Sequence, residues 1–447
     1  MTNPTSVQSP VLDADAIRAA ARRIGDVVAR TPLQINGRLS ARTGAQVYLK
    51  REDLQSVRSY KIRGAYNSIA LLDEGARAAG VVAASAGNHA QGVAFACRAM
   101  GIRGRIYVPT TTPKQKRDRI RWHGGDAIEL IATGPTYDAA ATAALADVAA
   151  TGASWIHAFD DPRTAAGQGT IAVEIVEQLG HVPDVVIVGV GGGGCLSGMT
   201  TYLRSLREDV TIIGVEPTGA PSLAAALLAG EPVTLSEINS FVDGAAVKRV
   251  GNLCFSVISA LSPTVADHPD LPNDRTVAGS GPLPAGSAHV MHVDEGALCS
   301  TMLELYQDDG IIAEPAGALS VSALDEITIA PDTSVVCLLS GGNNDVSRYG
   351  EIIERSLVHR GLKHYFLVDF PQEPGALRGF LDEVLGPDDD ITLFEYVKRN
   401  NREVGAALVG IELASAAGLP TLLERMKQSR LTTERLEPGS PAYRYLT

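Results

Sequence analysis

Cysteine is scarce. There are five cysteines in 447 residues, at positions 97, 195, 254, 299 and 337, an odd and widely spaced set with no Cys-x-x-Cys pair. That excludes a disulfide frame and fits the reduced thiols of a cytoplasmic protein. Long hydrophobic runs are missing too. No stretch approaches the ~18 apolar residues of a membrane span, and Met1 to Val11 is polar, without the apolar centre of a secretion signal. A soluble, cytoplasmic protein with no membrane partner is expected. Nor is there an excess of positive charge. The formal charge is −12, which favours solubility and argues against a nucleic-acid partner. The local exception, Lys114, Lys116, Arg117, Arg119 and Arg121 after Pro113, reads as the solvated face of a helix.

Small residues are plentiful instead. Glycine occurs 45 times and 45% of residues are hydrophobic, which suits an α/β enzyme with tight helix–sheet packing. The length corresponds to about three domains of roughly 150 residues. Asp13 to Val28 carries Ile17, Ala20, Ala21 and Ile24 on one helical stripe. Gln46 to Lys50, Gly80 to Ala84 and Gly104 to Val108 are strand candidates, the second leading through a loop at Ser85 into a helix over Ala90 to Met100. Asp184 to Val190 holds an unbroken apolar run, as a strand buried on both faces does. It enters Gly191-Gly192-Gly193-Gly194, a helix from about Cys195 to Leu206 and a strand over Val210 to Val215. Ser334 to Leu339 repeats the pattern and ends in Ser340-Gly341-Gly342-Asn343-Asn344. Such alternation predicts open, mostly parallel sheets. Ligands then lie at the carboxyl ends of the strands, where all three small-residue loops fall.

Two segments depart from this texture. Residues 262–292 are rich in proline and small polar residues and have no period; they read as a surface insertion dispensable for chemistry. After Arg360 the chain starts again. Strands over Lys363 to Asp369, Ile391 to Lys398 and Glu403 to Leu413, with helices over Ala376 to Leu385 and Leu419 to Met426, give a βαββα module followed by a tail.

The most informative residue is Lys61, in Ser59-Tyr60-Lys61-Ile62-Arg63-Gly64-Ala65, shortly after Lys50-Arg51-Glu52-Asp53. A lone lysine is usually a solvated charge. This one is accompanied by two loops that expose backbone to an anion, the tetraglycine and Ser85-Ala86-Gly87-Asn88-His89. The set suggests an amine that forms a Schiff base with a phosphorylated aldehyde, pyridoxal phosphate. The glycines follow a buried strand and open a helix, so the backbone can approach an anion closely and meet it with free N–H groups. A plain tight turn needs only one or two glycines. The pattern is neither GxGxxG with an acid about 20 residues on nor a Walker loop, which disfavours a dinucleotide or a nucleoside triphosphate. Ser85 to His89 either binds a carboxylate through its N–H groups and hydroxyl or simply caps a helix. His89 reads as packed or capping rather than as a base.

These motifs, with Glu314-Pro315-Ala316-Gly317-Ala318 and Leu339-Ser340-Gly341-Gly342-Asn343, resemble the fold-type II (tryptophan synthase β-like) pyridoxal-phosphate enzymes. Within that group they are similar to the biosynthetic threonine dehydratases, in order and spacing from about residue 12 to 360. The C-terminal piece resembles a single ACT-like regulatory domain. The resemblance implies an α/β catalytic domain over 1–360, with a smaller subdomain at about 55–160 inserted in the larger one and the insertion loop at 262–292, and an α+β regulatory domain over 361–447. It implies that Lys61 binds pyridoxal phosphate covalently and, once freed, removes the substrate Cα proton. By the same resemblance Gly191, Gly192, Gly193 and Gly194 hold the phosphate, Asn88 contacts the ring hydroxyl and Ser340 faces the ring nitrogen. Ser85, Ala86, Gly87, Asn88 and His89 cup the substrate carboxylate. No metal ligand is implied. Tyr60 stands where relatives often have phenylalanine, and Gly342 where they often have alanine. The implied reaction converts L-threonine to 2-oxobutanoate and ammonia, under feedback by isoleucine, in a homotetramer. The rivals are a serine or hydroxyaspartate dehydratase or racemase, and a non-catalytic amino-acid sensor; a sensor has no need of the Schiff-base lysine.

Overall fold

The computed structural model describes residues 11–268, 270–271, 283–396, 403–437, 440 and 443. The chain divides into two compact units. One combines the chain up to Asp294 with Gly310–Asn344; the other combines Glu295–Asp309 with Asp345 onward.

In chain order the strands of the first unit are β1 (Leu33–Ile35), β2 (Gln46–Arg51), β3 (Val81–Ala84), β4 (Gly104–Val108), β5 (Ile128–Ala132), β6 (Ser154–Trp155), β7 (Val185–Gly189), β8 (Thr211–Pro217), β9 (Thr264–Val265), β10 (Ala288–Val293) and β11 (Ser334–Leu339). They make a seven-stranded sheet of order β1-β2-β11-β7-β8-β10-β9 and a four-stranded sheet of order β5-β4-β3-β6. Only β1 pairs antiparallel, with β2; the other pairings are parallel. Every residue of β8 and β11 is buried, as are Val185–Val188 of β7. This is why those strands read as apolar runs rather than alternations. Helices Ala14–Ile24, Pro162–Leu179 and Gly194–Leu206 close one core through Ile17, Ile171, Leu196 and Met199 against Val186 and Ile212. Each such side chain contributes about 1.5–3 kcal/mol when fully buried. The last two helices touch backbone to backbone: a Cβ on Gly198 would lie 2.2 Å from the Ala165 carbonyl.

The surface insertion expected over 262–292 is a misreading at both ends. Thr264–Val265 and Ala288–Val293 are strands of the large sheet, with β10 lying between β8 and β9. Residues 269 and 272–282 lie outside the described residues. The histidines disguised β10. His289 is buried in it, but its ring nitrogens meet the hydroxyls of Thr264 and Ser287 at 2.5 and 2.6 Å, so a polar residue is satisfied inside a sheet. The two ends of the segment are therefore parts of the sheet.

In the second unit helix Glu295–Gln307 packs on helix Tyr349–His359, with the Ser300 and Ser356 hydroxyls 2.9 Å apart. Four further strands, β12 (Lys363–Pro371), β13 (Asp390–Tyr396), β14 (Val404–Glu412) and β15 (Thr432–Leu436), form an antiparallel sheet of order β13-β14-β12-β15. Helices Ala376–Glu383 and Leu419–Gln428 share a core with it, built on Phe366, Val368, Phe380, Val409, Ile411 and Leu422. The tail supplies β15. Its sequence, Thr-Thr-Glu-Arg-Leu, is too polar to announce a strand, and its place is at a sheet edge, where charge is tolerated. Among the described residues no helix is long and apolar enough to cross a membrane. All five cysteines are buried, and none is in a disulfide.

Candidate active site

Lys61 begins helix Lys61–Ala70, and a network of buried charges sets that helix in place. Arg63, 1% exposed, makes a two-pronged contact with Glu52, Nε to Oε2 and Nη2 to Oε1 both 2.8 Å, and a second with Glu174 at 2.7 and 3.0 Å. Lys50 Nζ joins Glu174 at 2.6 Å and the Thr31 carbonyl at 2.7 Å. The charged run Lys50-Arg51-Glu52-Asp53 is thus structural at Lys50 and Glu52. It ties β2, helix Lys61–Ala70 and helix Pro162–Leu179 together with charge-assisted bonds.

The loop after β11 is zipped to the segment just before the lysine. Tyr60 N–H donates to the Ser340 carbonyl (3.1 Å), Gly342 N–H to Arg58 (2.9 Å), and Ser59 pairs with Gly341. The lysine amine donates to the carbonyl of Ala158 at 3.2 Å and lies 5.3 Å from the centre of the Tyr60 ring. Phe159, the next residue, packs on the tetraglycine loop: a Cβ on Gly192 would lie 2.1 Å from its ring, and one on Gly194 2.6 Å from its carbonyl. Gly193 has φ +82°, and a Cβ there would meet Cys254 Sγ at 2.0 Å. Ala158-Phe159 therefore brings Lys61 and Gly191–Gly194 to one place. Helix Gly194–Leu206 starts there with no side-chain cap, so its first N–H groups are open to an anion.

The second anion loop joins the same cluster. Helix Asn88–Met100 has Gly87 as its N-cap and no side-chain cap; the Ser85 hydroxyl accepts from Gly87 N–H at 3.2 Å instead. Asn88 Nδ2 donates to Glu314 Oε1 at 2.5 Å, and Asn343 Nδ2 donates to Asn88 Oδ1 at 2.8 Å. Ser340 Oγ donates to the Ala316 carbonyl at 3.1 Å. His89 Nε2 donates to the Ile156 carbonyl at 2.9 Å, while its buried Nδ1 has no partner among the described residues. The histidine is packed rather than placed as a base.

Burial sets the charges. It lowers Lys61 to about 8, against smaller opposing effects of Cys195 and Glu314. Burial, with Lys61 nearby, lowers His89 to about 3, so its ring is neutral. Glu314 rises to about 7, through burial first and Asp243 second. An amine that loses its proton near neutrality is a nucleophile and a base. Beside it lies a glycine cradle too tight for any side chain, at an open helix N-terminus. These residues fit a phosphorylated aldehyde.

Residues 24–341 match the family described as pyridoxal-phosphate dependent enzyme, and residues 354–446 match the C-terminal regulatory domain of threonine dehydratase. The chain is 61% identical to the L-threonine dehydratase biosynthetic IlvA of Mycobacterium tuberculosis (strain ATCC 25618 / H37Rv), over 99% of this chain and 98% of that one. The chain belongs to the threonine dehydratase family of pyridoxal-phosphate enzymes. The Bacillus subtilis (strain 168) threonine dehydratase is 47% identical over 95% of each chain. Among solved structures, the processed form of threonine deaminase isoform 2 from Solanum lycopersicum is similar, with a TM-score of 0.66 and 34% identity over 78% of this chain and 96% of that one. Pyridoxal phosphate is the cofactor of this family member.

The threonine dehydratase motifs thus converge in space, but sequence reasoning missed several residues that bring them together. Ala158-Phe159, between β6 and helix Pro162–Leu179, carried no motif. His157, whose Nδ1 accepts from the N–H groups of Phe159 and Asp160 at 3.2 and 2.8 Å, shapes that turn. Glu314 and Asn343 stood in quoted motifs without a role of their own.

Proposed function

We propose that this chain deaminates L-threonine to 2-oxobutanoate and ammonia, and that isoleucine inhibits it through the C-terminal unit. The observation that carries the reading is the desolvated amine of Lys61, held at Ala158 one residue from the aromatic ring that packs on the tetraglycine loop. Pyridoxal phosphate, when bound, supplies the electron sink for loss of the substrate Cα proton. Gly191, Gly192, Gly193 and Gly194 would hold its phosphate with backbone N–H groups and the helix dipole. Asn88 would donate to the ring hydroxyl oxygen, and Ser340 would face the ring nitrogen. Ser340 is neutral, so it would offer the ring nitrogen a hydroxyl rather than a carboxylate. Ser85, Ala86, Gly87, Asn88 and His89 receive the substrate carboxylate at the open start of their helix. Lys61 would hold the cofactor covalently and, once freed, could take the Cα proton as a neutral amine.

We assign catalysis to residues 1–360 and regulation to residues 361–447. In the second unit a cavity of about 770 Å³ is lined by Phe370, Gly375, Ala376, Leu381, Phe394 and Tyr396, among others. Gly375, at φ +96°, starts helix Ala376–Glu383 without a side-chain cap. A carboxylate at that helix start and a branched side chain against the phenylalanines are what isoleucine offers. The protein acts in the cytoplasm as a homotetramer. The test is product identity: the full-length enzyme is supplied in turn with threonine, serine and hydroxyaspartate, and 2-oxobutanoate and pyruvate are quantified, with and without isoleucine. Faster turnover of threonine, suppressed by isoleucine, is expected. Preferred turnover of serine or hydroxyaspartate overturns the substrate assignment, and indifference to isoleucine overturns the effector.

A further inference from the structure

The buried carboxyl of Glu314 has no part in the reaction as set out above. It is 5% exposed and has no ion-pair partner among the described residues, a costly arrangement for an acid. Two amide groups hold it. Asn88 Nδ2 donates to Oε1 at 2.5 Å, and the backbone N–H of Asn343 donates as well. The carboxyl is wedged against the loop after β11, where a Cβ on Gly341 would lie 2.2 Å from Oε1, so it has little room to shift. On the other side of Asn88, the Asn343 side chain donates to Asn88 Oδ1 and to the Val57 carbonyl, both at 2.8 Å. An amide gripped this way cannot turn over. Reversal would set its oxygen against the Glu314 carboxyl and its NH2 against that of Asn343. Among the described residues, Asn88 Nδ2 makes no second hydrogen bond, which leaves one N–H uncommitted.

We propose that Glu314, backed by Asn343, is a positioning residue for the reaction: it locks the Asn88 amide so that the remaining N–H, and not the carbonyl oxygen, faces the cofactor's ring oxygen. The inference rests on the reading that Asn88 contacts that oxygen. A donor there stabilises the ionised ring oxygen, whereas a carbonyl would favour the protonated one. The visible absorption of the resting enzyme reports that balance. Although burial brings Glu314 to about 7, both its forms keep an oxygen that accepts from Asn88, so the lock holds across neutral pH.

The test uses the full-length holoenzyme with Asn88→Ala, Glu314→Ala, Glu314→Gln and the double Asn88→Ala/Glu314→Ala variant. For each, the absorption spectrum of the resting enzyme, the affinity of the apoprotein for pyridoxal phosphate, and kcat and KM are measured. Asn88→Ala is expected to move the absorption band. Glu314→Ala moves it the same way and lowers kcat about tenfold, the cost of one buried hydrogen bond to a carboxylate, with KM changed less than kcat. Glu314→Gln keeps an acceptor and restores the wild-type band. The double variant is no worse than Asn88→Ala alone. If Asn88→Ala shifts the band and Glu314→Ala leaves it in place, or if the two losses add, the positioning role is overturned while the Asn88 contact stands. If Asn88→Ala changes neither band nor affinity, the Asn88 contact is itself wrong and the lock falls with it. Should Glu314→Ala fail to fold, Asn343→Ala loosens the same amide from its other side. The same shift then supports the proposal, and an unchanged band overturns it.

Discussion

Lys50 and Lys61 stand at opposite ends of one short stretch of chain and have opposite surroundings. Lys50 is fully buried, yet Glu174 at 2.6 Å and nearby Glu52 compensate its charge. Lys61 is only partly buried as a residue, but its amine meets a backbone carbonyl, and no carboxylate pairs with it among the described residues. Burial lowers the pKa of both; Glu52 and Glu174 pull Lys50 back, and Cys195 and Glu314 pull Lys61 back. A buried cation with a matched anion is a structural part. A desolvated amine without one is poised to lose its proton and react. The charge network around Arg63 serves the second lysine by fixing the helix that carries it.

The comparison breaks hardest at Lys61. On the roles proposed for Lys61, Lys61→Ala removes the covalent anchor and the base together, so threonine turnover is expected to fall below about one-thousandth of wild type. The glycine cradle is untouched, so pyridoxal phosphate still binds, now in equilibrium and removable by dialysis. Normal turnover by this variant would sink the assignment of the lysine. Lys50 is expected to behave otherwise, because its loss disturbs packing rather than chemistry.

Arg63→Met tests the structural half. It leaves Glu52, which is 0% exposed, buried with its two-pronged partner gone. Breaking a buried pair from one side costs about 3–5 kcal/mol. Urea unfolding of the apoprotein is expected to show a loss of that order, larger than for any exposed pair such as Arg18–Asp15. A loss below about 1 kcal/mol would mean that the network is not what holds the Lys61 helix.

How far the sequence disclosed this contrast depends on the kind of signal. The parallel strands were legible because two-sided burial leaves continuous apolar runs, as in β7. The tetraglycine and Lys61 stood out as candidates because four glycines after a buried strand and a lysine beside small-residue loops are unusual, and the fold does bring them together. Strand β10 was not, since His289 makes it look polar, and its hydroxyl partners, Thr264 and Ser287, gave no sign of meeting it. Phe159 was not, because its value lies in what it touches across the fold. Glu314 and Glu52 were visible as motif letters, but the letters do not say that one pairs with an arginine and the other with an amide. Side-chain partners distant in sequence are fixed by tertiary packing, which single-sequence patterns do not encode.

The smallest effect sharpens the comparison furthest. Covalent capture of pyridoxal phosphate by the apoprotein needs Lys61 as a neutral amine. With its pKa lowered from the usual 10.5 to about 8, the neutral fraction is about one-tenth at pH 7 and nearly complete by pH 10. The sign is that of a depressed amine: reactivity is low under acid conditions, rises through about 8 and then levels. Stopped-flow absorbance between pH 7 and 10 is expected to show capture accelerating about tenfold, with a midpoint near 8. A rate still climbing beyond pH 10 would give Lys61 an ordinary solvated amine and erase its difference from a surface lysine. Burial dominates the shift, while Glu314 opposes it. Glu314→Gln, which removes that opposing charge, should therefore move the midpoint lower. A midpoint that rises instead would show that Glu314 does not act on the amine through its charge.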